Sequence, residues 1–201
     1  MNALASDQAK RLAETIWNDP RLKGKVTAGL FVGEGVNAQD YPRDMGEDHT
    51  IENRNAIIDT VPDILLTNFK MLDYGLMRQE FMPLWKGNID TEEKVLRFIV
   101  LDELHTYDGA QGTDVANLIR RLKLKLNLPK ASLCPIGTSA TIGNEEDSKA
   151  RLCEYATNVF GEQFREDCVI EEHRIPVEEF IDAVTMGLPD GKLIKERVFG
   201  S

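Results

Sequence analysis

A phosphate-gripping glycine loop is missing from this chain of 201 residues. No stretch fits G-x-x-x-x-G-K followed by Ser or Thr; Gly33-Glu34-Gly35 and Gly137-Thr138-Ser139 lack both the lysine and the spacing. The chain therefore does not supply the backbone N–H cradle and lysine that ordinarily neutralise nucleotide β and γ phosphates. Cysteine is scarce as well. The three present (Cys134, Cys153 and Cys168) form no C-x-x-C pair, which points to reduced thiols in a cytoplasmic protein and offers no activating cluster for a redox site. Positive charge is in deficit, 24 Lys and Arg against 34 Asp and Glu. A net charge of −10 argues against a wholly cationic nucleic-acid surface, although a local groove needs only a few placed donors. No apolar run is long enough to span a membrane, and no basic segment followed by an apolar one marks a secretory leader. Internal repeats and low-complexity tracts are absent.

What remains is globular in composition, 42% hydrophobic and 29% charged, and long enough for one sizeable domain. Its most informative stretch is FIVLDELH at residues 98–105. Four consecutive strand-forming apolar residues read as a buried parallel strand. Asp102 and Glu103 then fall at its C-terminal edge, where open α/β sheets place their ligands. There one acid can hold a nucleotide-bound Mg²⁺ while its neighbour orients or deprotonates a water. A strand ending in a plain polar turn is the competing reading. A second strand of the same kind, LCPIGTSAT at residues 133–141, closes in a hydroxyl-rich turn.

The rest of the chain alternates helix and strand. Ala5, Ala9, Leu12, Ala13 and Ile16 make one face of a helix over residues 5–17, ended by Pro20. A strand is expected over 25–32, an exposed loop over 33–50, a short helix over 51–58 and a strand over 63–66. Thr67 and Asn68 can cap a helix over 69–78, since their side-chain oxygens satisfy free N–H groups. Residues 79–94 read as mostly loop. After the strand at 96–101 comes a glycine-punctuated turn at 107–112 and an amphipathic helix over 113–126. Its Arg120, Arg121, Lys123 and Lys125 read first as a solvated charged face placed well for the helix dipole. A strand at 133–137, a loop at 144–147, a helix at 148–160 and a final strand at 168–171 follow. A helical patch near 177–184, a turn at 187–191 and a weakly ordered tail end the pattern. This alternation predicts a parallel sheet with right-handed crossovers.

The order DELH then TSAT resembles motifs II and III of the superfamily 2 DEAD/DEAH-box helicases. NALASDQ at residues 2–8 is similar to the end of motif Ia, and PDILLTNFKML at 62–72 to motif Ib with its strand. YDGAQGTDVANLIRRL at 107–122 is similar to the segment after motif II in the Lhr-like branch. The resemblance covers about residues 1–170 and implies the first RecA-like domain, a three-layer α/β P-loop NTPase fold built on a parallel sheet. Residues 1–172 would form that partial ATP-binding domain, and 173–201 an extension or linker towards a second RecA-like domain. Because motif Ia starts at Met1, the resemblance implies a chain that begins inside a longer helicase, N-terminally incomplete and without its phosphate loop. Such a chain is expected to hydrolyse ATP negligibly. Lacking an interior strand, it is also expected to expose an apolar strip, leaving it marginally stable, self-associating or repaired by other strand pairing.

Roles carry over by the same resemblance. Asp102 would hold Mg²⁺ of Mg-ATP, and Glu103 would act as general base. His105, Ser139 and Thr141 would couple the nucleotide site to nucleic acid, with Asn2, Thr67 and Asn68 contacting its backbone, DNA in preference to RNA. Leu104, in place of the commoner alanine, would pack behind the acids. As simpler roles, His105 suits a helix cap or a core, and the hydroxyls of Ser139 and Thr141 suit a strand end. Two readings of another kind stand beside this one. Asp102, Glu103 and His105 could serve a divalent-metal phosphoesterase or nuclease, which needs more ligands, with Asp63 and Asp73 only loosely placed. The chain could also be a non-catalytic nucleic-acid-binding module.

Overall fold

The computed structural model describes residues 2–33, 41–139 and 148–171. Helix α1 (Asn2–Asn18) is followed by β1 (Ala28–Phe31), α2 (Arg54–Asp59), β2 (Ile64–Thr67) and α3 (Phe69–Met77). A 3₁₀ turn (Gln79–Phe81) leads into α4 (Met82–Ile89), then β3 (Phe98–Leu101), a second 3₁₀ turn (Leu104–Thr106) and α5 (Gly109–Lys125). Strand β4 (Cys134–Gly137), α6 (Ser148–Phe160) and a 3₁₀ turn (Glu166–Cys168) complete the described elements. Met1–Phe164 and Arg165–Ser201 are separate compact units.

The strands form two parallel pairs. β1 pairs with β2 from Ala28 opposite Ile64 to Phe31 opposite Thr67. β3 pairs with β4 from Phe98 opposite Cys134 to Leu101 opposite Gly137. Parallel pairing separated by helices is the α/β arrangement expected from the alternation. β1 also gains a neighbour on its other side: Ile51 N–H donates to Ala28 O at 2.9 Å, and Leu30 N–H to Ile51 O at 2.8 Å.

Two apolar clusters support these pairs. The larger gathers Phe31, Ile57, Phe81, Trp85 and Leu122 around β1–β2. The smaller places Leu104, Val115, Ile119, Ala156 and Phe160 beneath the end of β3. Ile99 and Phe69 pack against both. In α1 the buried stripe is Ala9, Ala13 and Ile16, spaced to face β1 and β2.

Several sequence expectations are corrected. Residues 79–94 are not mainly loop, because Phe81, Leu84, Trp85 and Asn88 bury one helical stripe with Pro83 in the first turn of α4. Ile51 joins β1 rather than opening a helix; α2 starts at Arg54, after Asn53 caps Ala56 N–H at 3.0 Å. Helix α5 starts at Gly109, earlier than expected. Residues 168–171 form no strand; the 3₁₀ turn ends at Cys168, beside an Arg165–Asp167 ion pair of 2.7 Å. The expectations for residues 34–40, for the loop at 144–147 and beyond residue 171 lie outside the described residues. No helix among the described residues is long and apolar enough to cross a membrane.

Candidate active site

Both parallel strands of the second pair deliver their C-terminal ends to one place. Asp102 follows β3, and Thr138 with Ser139 follows β4. The join is made by backbone as well as side chains. Thr138 N–H donates to Leu101 O at 3.0 Å, Leu104 N–H to Thr138 O at 2.7 Å, and Glu103 N–H to Thr138 Oγ1 at 3.1 Å. Thr138 Oγ1–H in turn donates to Asp102 Oδ1 at 2.5 Å.

The turn that carries the acids is bent sharply. Glu103 sits in the left-handed region, φ 51° and ψ 50°, which costs a non-glycine residue of order 1 kcal/mol. The bend is held from below by Leu104, only 2% exposed, so the leucine packs behind the acids as expected. It is also held by Gly137, where a Cβ would come within 2.7 Å of the Leu104 side chain.

Asp102 is gripped at both oxygens. Besides Thr138 on Oδ1, the Gln8 amide donates to Oδ2 at 2.6 Å from α1. These two donors, Thr138 foremost, hold its carboxyl below the usual carboxylate range. Burial, with the Asp102 charge nearby, pushes the Tyr107 phenol up. His105 Nδ1 lies 3.1 Å from Ser139 Oγ and 3.4 Å from Glu103 Oε2, so the histidine stands between the second acid and the β4 turn.

The nucleic-acid candidates divide. Asn68 caps α3 by accepting from Met71 N–H at 2.9 Å. Thr67 does not share the cap; its hydroxyl donates to Phe31 O at 2.7 Å and ties β2 to β1. Asn2 is the first residue of α1, and Thr141 lies outside the described residues. Asp102, Glu103, His105 and Ser139 are thus brought together, while Thr67 and Asn68 end the other strand pair. Sequence reasoning gave no role to Thr138 or Gln8. Thr138 adjoins Ser139 and was open to the same strand-end argument, whereas nothing local links Gln8 to a carboxylate 94 residues away.

The donor set bears on metals. No group of three or more His, Cys, Asp or Glu among the described residues could cage an ion. Asp63 accepts from Thr27 N–H and Oγ1–H at 2.8 and 2.9 Å, and Asp73 pairs with Arg121 at 2.6 Å, so neither joins Asp102. A single carboxylate at a strand end fits Mg²⁺, which keeps several waters and takes other ligands from substrate phosphates. The phosphate end of a nucleotide does not fit residues of this chain, which lacks the glycine-lysine loop.

Comparison with known proteins places this geometry. A profile for the DEAD/DEAH box helicase family matches residues 1–148. Druantia protein DruE of Escherichia coli is 34% identical over 160 residues, covering 76% of this chain and 8% of that protein. The uncharacterized ATP-dependent helicase MJ1574 of Methanocaldococcus jannaschii is 30% identical over 112 residues, covering 56% and 15%. A crystal structure of the DUF1998 helicase MrfA, bound to DNA and AMPPNP, superposes with a TM-score of 0.56 at 28% identity, over 82% of this chain and 19% of that one. The chain therefore spans a small part of the length of each relative. With the family profile covering most of the sequence and the acid turn standing at the paired strand ends of a RecA-like α/β fold, the chain belongs to the DEAD/DEAH box helicase family.

Proposed function

We propose that this chain supplies the acid and hydroxyl end of the nucleotide site in an ATP-dependent helicase or translocase acting on nucleic acid. Asp102 holds Mg²⁺ directly or through water, and Glu103 orients the hydrolytic water and takes its proton. Mg²⁺, when bound with ATP, offsets charge on the transferring phosphoryl group. His105, Ser139 and Thr141 pass the state of that site to the nucleic acid. Asn2, Thr67 and Asn68 touch its backbone, which suits a motor that must not read sequence. DNA is the partner in this reading, which the DNA-bound MrfA structure supports; a second RecA-like domain completes the site, and the protein works in the cytoplasm.

The observation that supports this reading best is the union of Asp102, Glu103, His105 and Ser139 at two parallel strand ends. Against a metal phosphoesterase stand the separate engagements of Asp63 and Asp73.

Manganese(II) as a probe for Mg²⁺ tests the reading. In NMR spectra of the 201-residue chain, broadening is expected to centre on Asp102 and Glu103, with ATP hydrolysis at background. Broadening centred elsewhere, or metal-dependent cleavage of DNA without ATP, overturns it. Affinity for single-stranded DNA should fall steeply with salt, as phosphate contacts require.

A further inference from the structure

We propose that Gln8 is a positioning residue for Asp102, holding the carboxylate from α1 and so tying the first strand pair to the acid of the second. The inference rests on the role given to Asp102 above for its meaning in catalysis, but the contact stands on its own geometry.

Three observations carry it. Gln8 Nε2 lies 2.6 Å from Asp102 Oδ2, across 94 residues of sequence, while Thr138 Oγ1 takes Oδ1 at 2.5 Å. A carboxylate clamped at both oxygens by donors from different elements cannot turn about χ2. It still keeps about two of its four lone-pair sites for a cation. Second, the donor is a neutral amide. A lysine there would neutralise the charge that a cation needs, whereas an amide orients it and leaves it in place. Third, α1 packs through Ala9, Ala13 and Ile16 against β1 and β2. Gln8 is on the flank of that stripe, so a shift of α1 along the first pair moves the donor at Asp102. The helix that begins at Asn2 thereby acquires a direct hold on the metal-side acid.

The test uses the full 201-residue chain with Gln8→Ala, Gln8→Glu and Asp102→Ala variants. Alanine and glutamate are both good helix formers, so α1 persists in each Gln8 variant. In ¹⁵N spectra the Gln8 side-chain amide is expected to be displaced from the other glutamine amides and to return to their range in Asp102→Ala. Manganese(II) half-broadening at the Glu103 and Thr138 amides should need about 10-fold more metal in Gln8→Ala. It should need less in Gln8→Glu, where a second carboxylate meets the ion. A Gln8 amide unchanged by Asp102→Ala, or equal metal response in all Gln8 variants, overturns the proposal. Absence of broadening at Asp102 in the unsubstituted chain instead overturns the nucleotide reading, and the amide signal still decides the Gln8 contact.

Discussion

The two strand pairs share a parallel register and differ in almost everything else. β1 is AGLF, poor in large side chains, yet all four of its residues are buried. β3 is FIVL, the more hydrophobic strand, yet Phe98 is 61% and Val100 57% exposed. The reason is neighbours. β1 is hydrogen-bonded on both edges, by β2 and Ile51, and the larger apolar cluster surrounds it. β3 rests one face, Ile99 and Leu101, on the cluster that α5 and α6 build, and bares the other. Strand hydrophobicity thus records what a strand is suited to bury, whereas its actual burial depends on the layers laid over it. The well-packed pair ends in a helix cap. The half-covered pair ends in the strained, charged turn that carries the chemistry.

The largest effect should come from breaking the packed side. Phe81 is fully buried, edge-on to Phe31 with ring centroids 5.2 Å apart. Phe81→Ala should cost about 3–5 kcal/mol in chemical denaturation. The disturbance should spread through β1 and β2 before it reaches Asp102, seen as early loss of amide protection at Leu30 and Leu65. On the other side, Gly112 is fixed by backbone, because a Cβ there would meet Tyr107 O at 2.2 Å. Gly112→Ala should cost about 1–3 kcal/mol and displace the start of α5. Altered amide shifts from Leu104 to Asp108, with those of β1 unchanged, would show that the two halves respond separately.

How much of this was legible in sequence follows the same division. Motif order carried the acid turn and its union with Ser139, since apolar strands that end in polar turns declare their own C-terminal edges. Element positions followed from periodicity, with one large miss at α4. There Phe81, Leu84, Trp85 and Asn88 carried the helical spacing in plain view, around Pro83 and Gly87. Pro83 falls in the first turn, where its missing N–H costs nothing. What one sequence could not declare were contacts of long separation: Ile51 on β1, Gln8 on Asp102, and the destinations of the α5 charges.

Those charges give a third, smaller test. Lys123 Nζ–H donates to Phe160 O and pairs with Glu162, both at 2.7 Å, and Arg120 Nη2–H donates to Asn158 O at 3.2 Å. Lys125 reaches Leu76 O, and Arg121 pairs with Asp73 on α3. A run that reads as a solvated face therefore closes the carbonyl ends of α3 and α6, where the helix dipole favours cations. Lys123→Met should cost about 1 kcal/mol by thermal unfolding, concentrated in α6. Affinity for single-stranded DNA should hold. A lost DNA affinity at unchanged stability would return this helix to the nucleic-acid face.

The smallest stability effect should come from the bare face of β3, and it is the sharpest test of the comparison. Phe98 and Val100 point to the same side as Cys134 and Ile136 opposite them, since partners in register share a face. Phe98, Val100 and Ile136 are all exposed, a contiguous apolar surface of the kind that drives association. Exchanging Phe98 and Val100 together for threonine puts a β-branched strand former at both positions and removes little buried area. The unfolding free energy should change by no more than about 0.5 kcal/mol. Self-association, read by sedimentation velocity across a concentration series, should drop markedly. The matching exchange at Leu30 and Phe31 should unfold the first pair. Were the β3 exchange to destabilise the chain as much as the β1 exchange, burial would be equal on both sides. The contrast between a packed strand pair and a half-covered one would then fail.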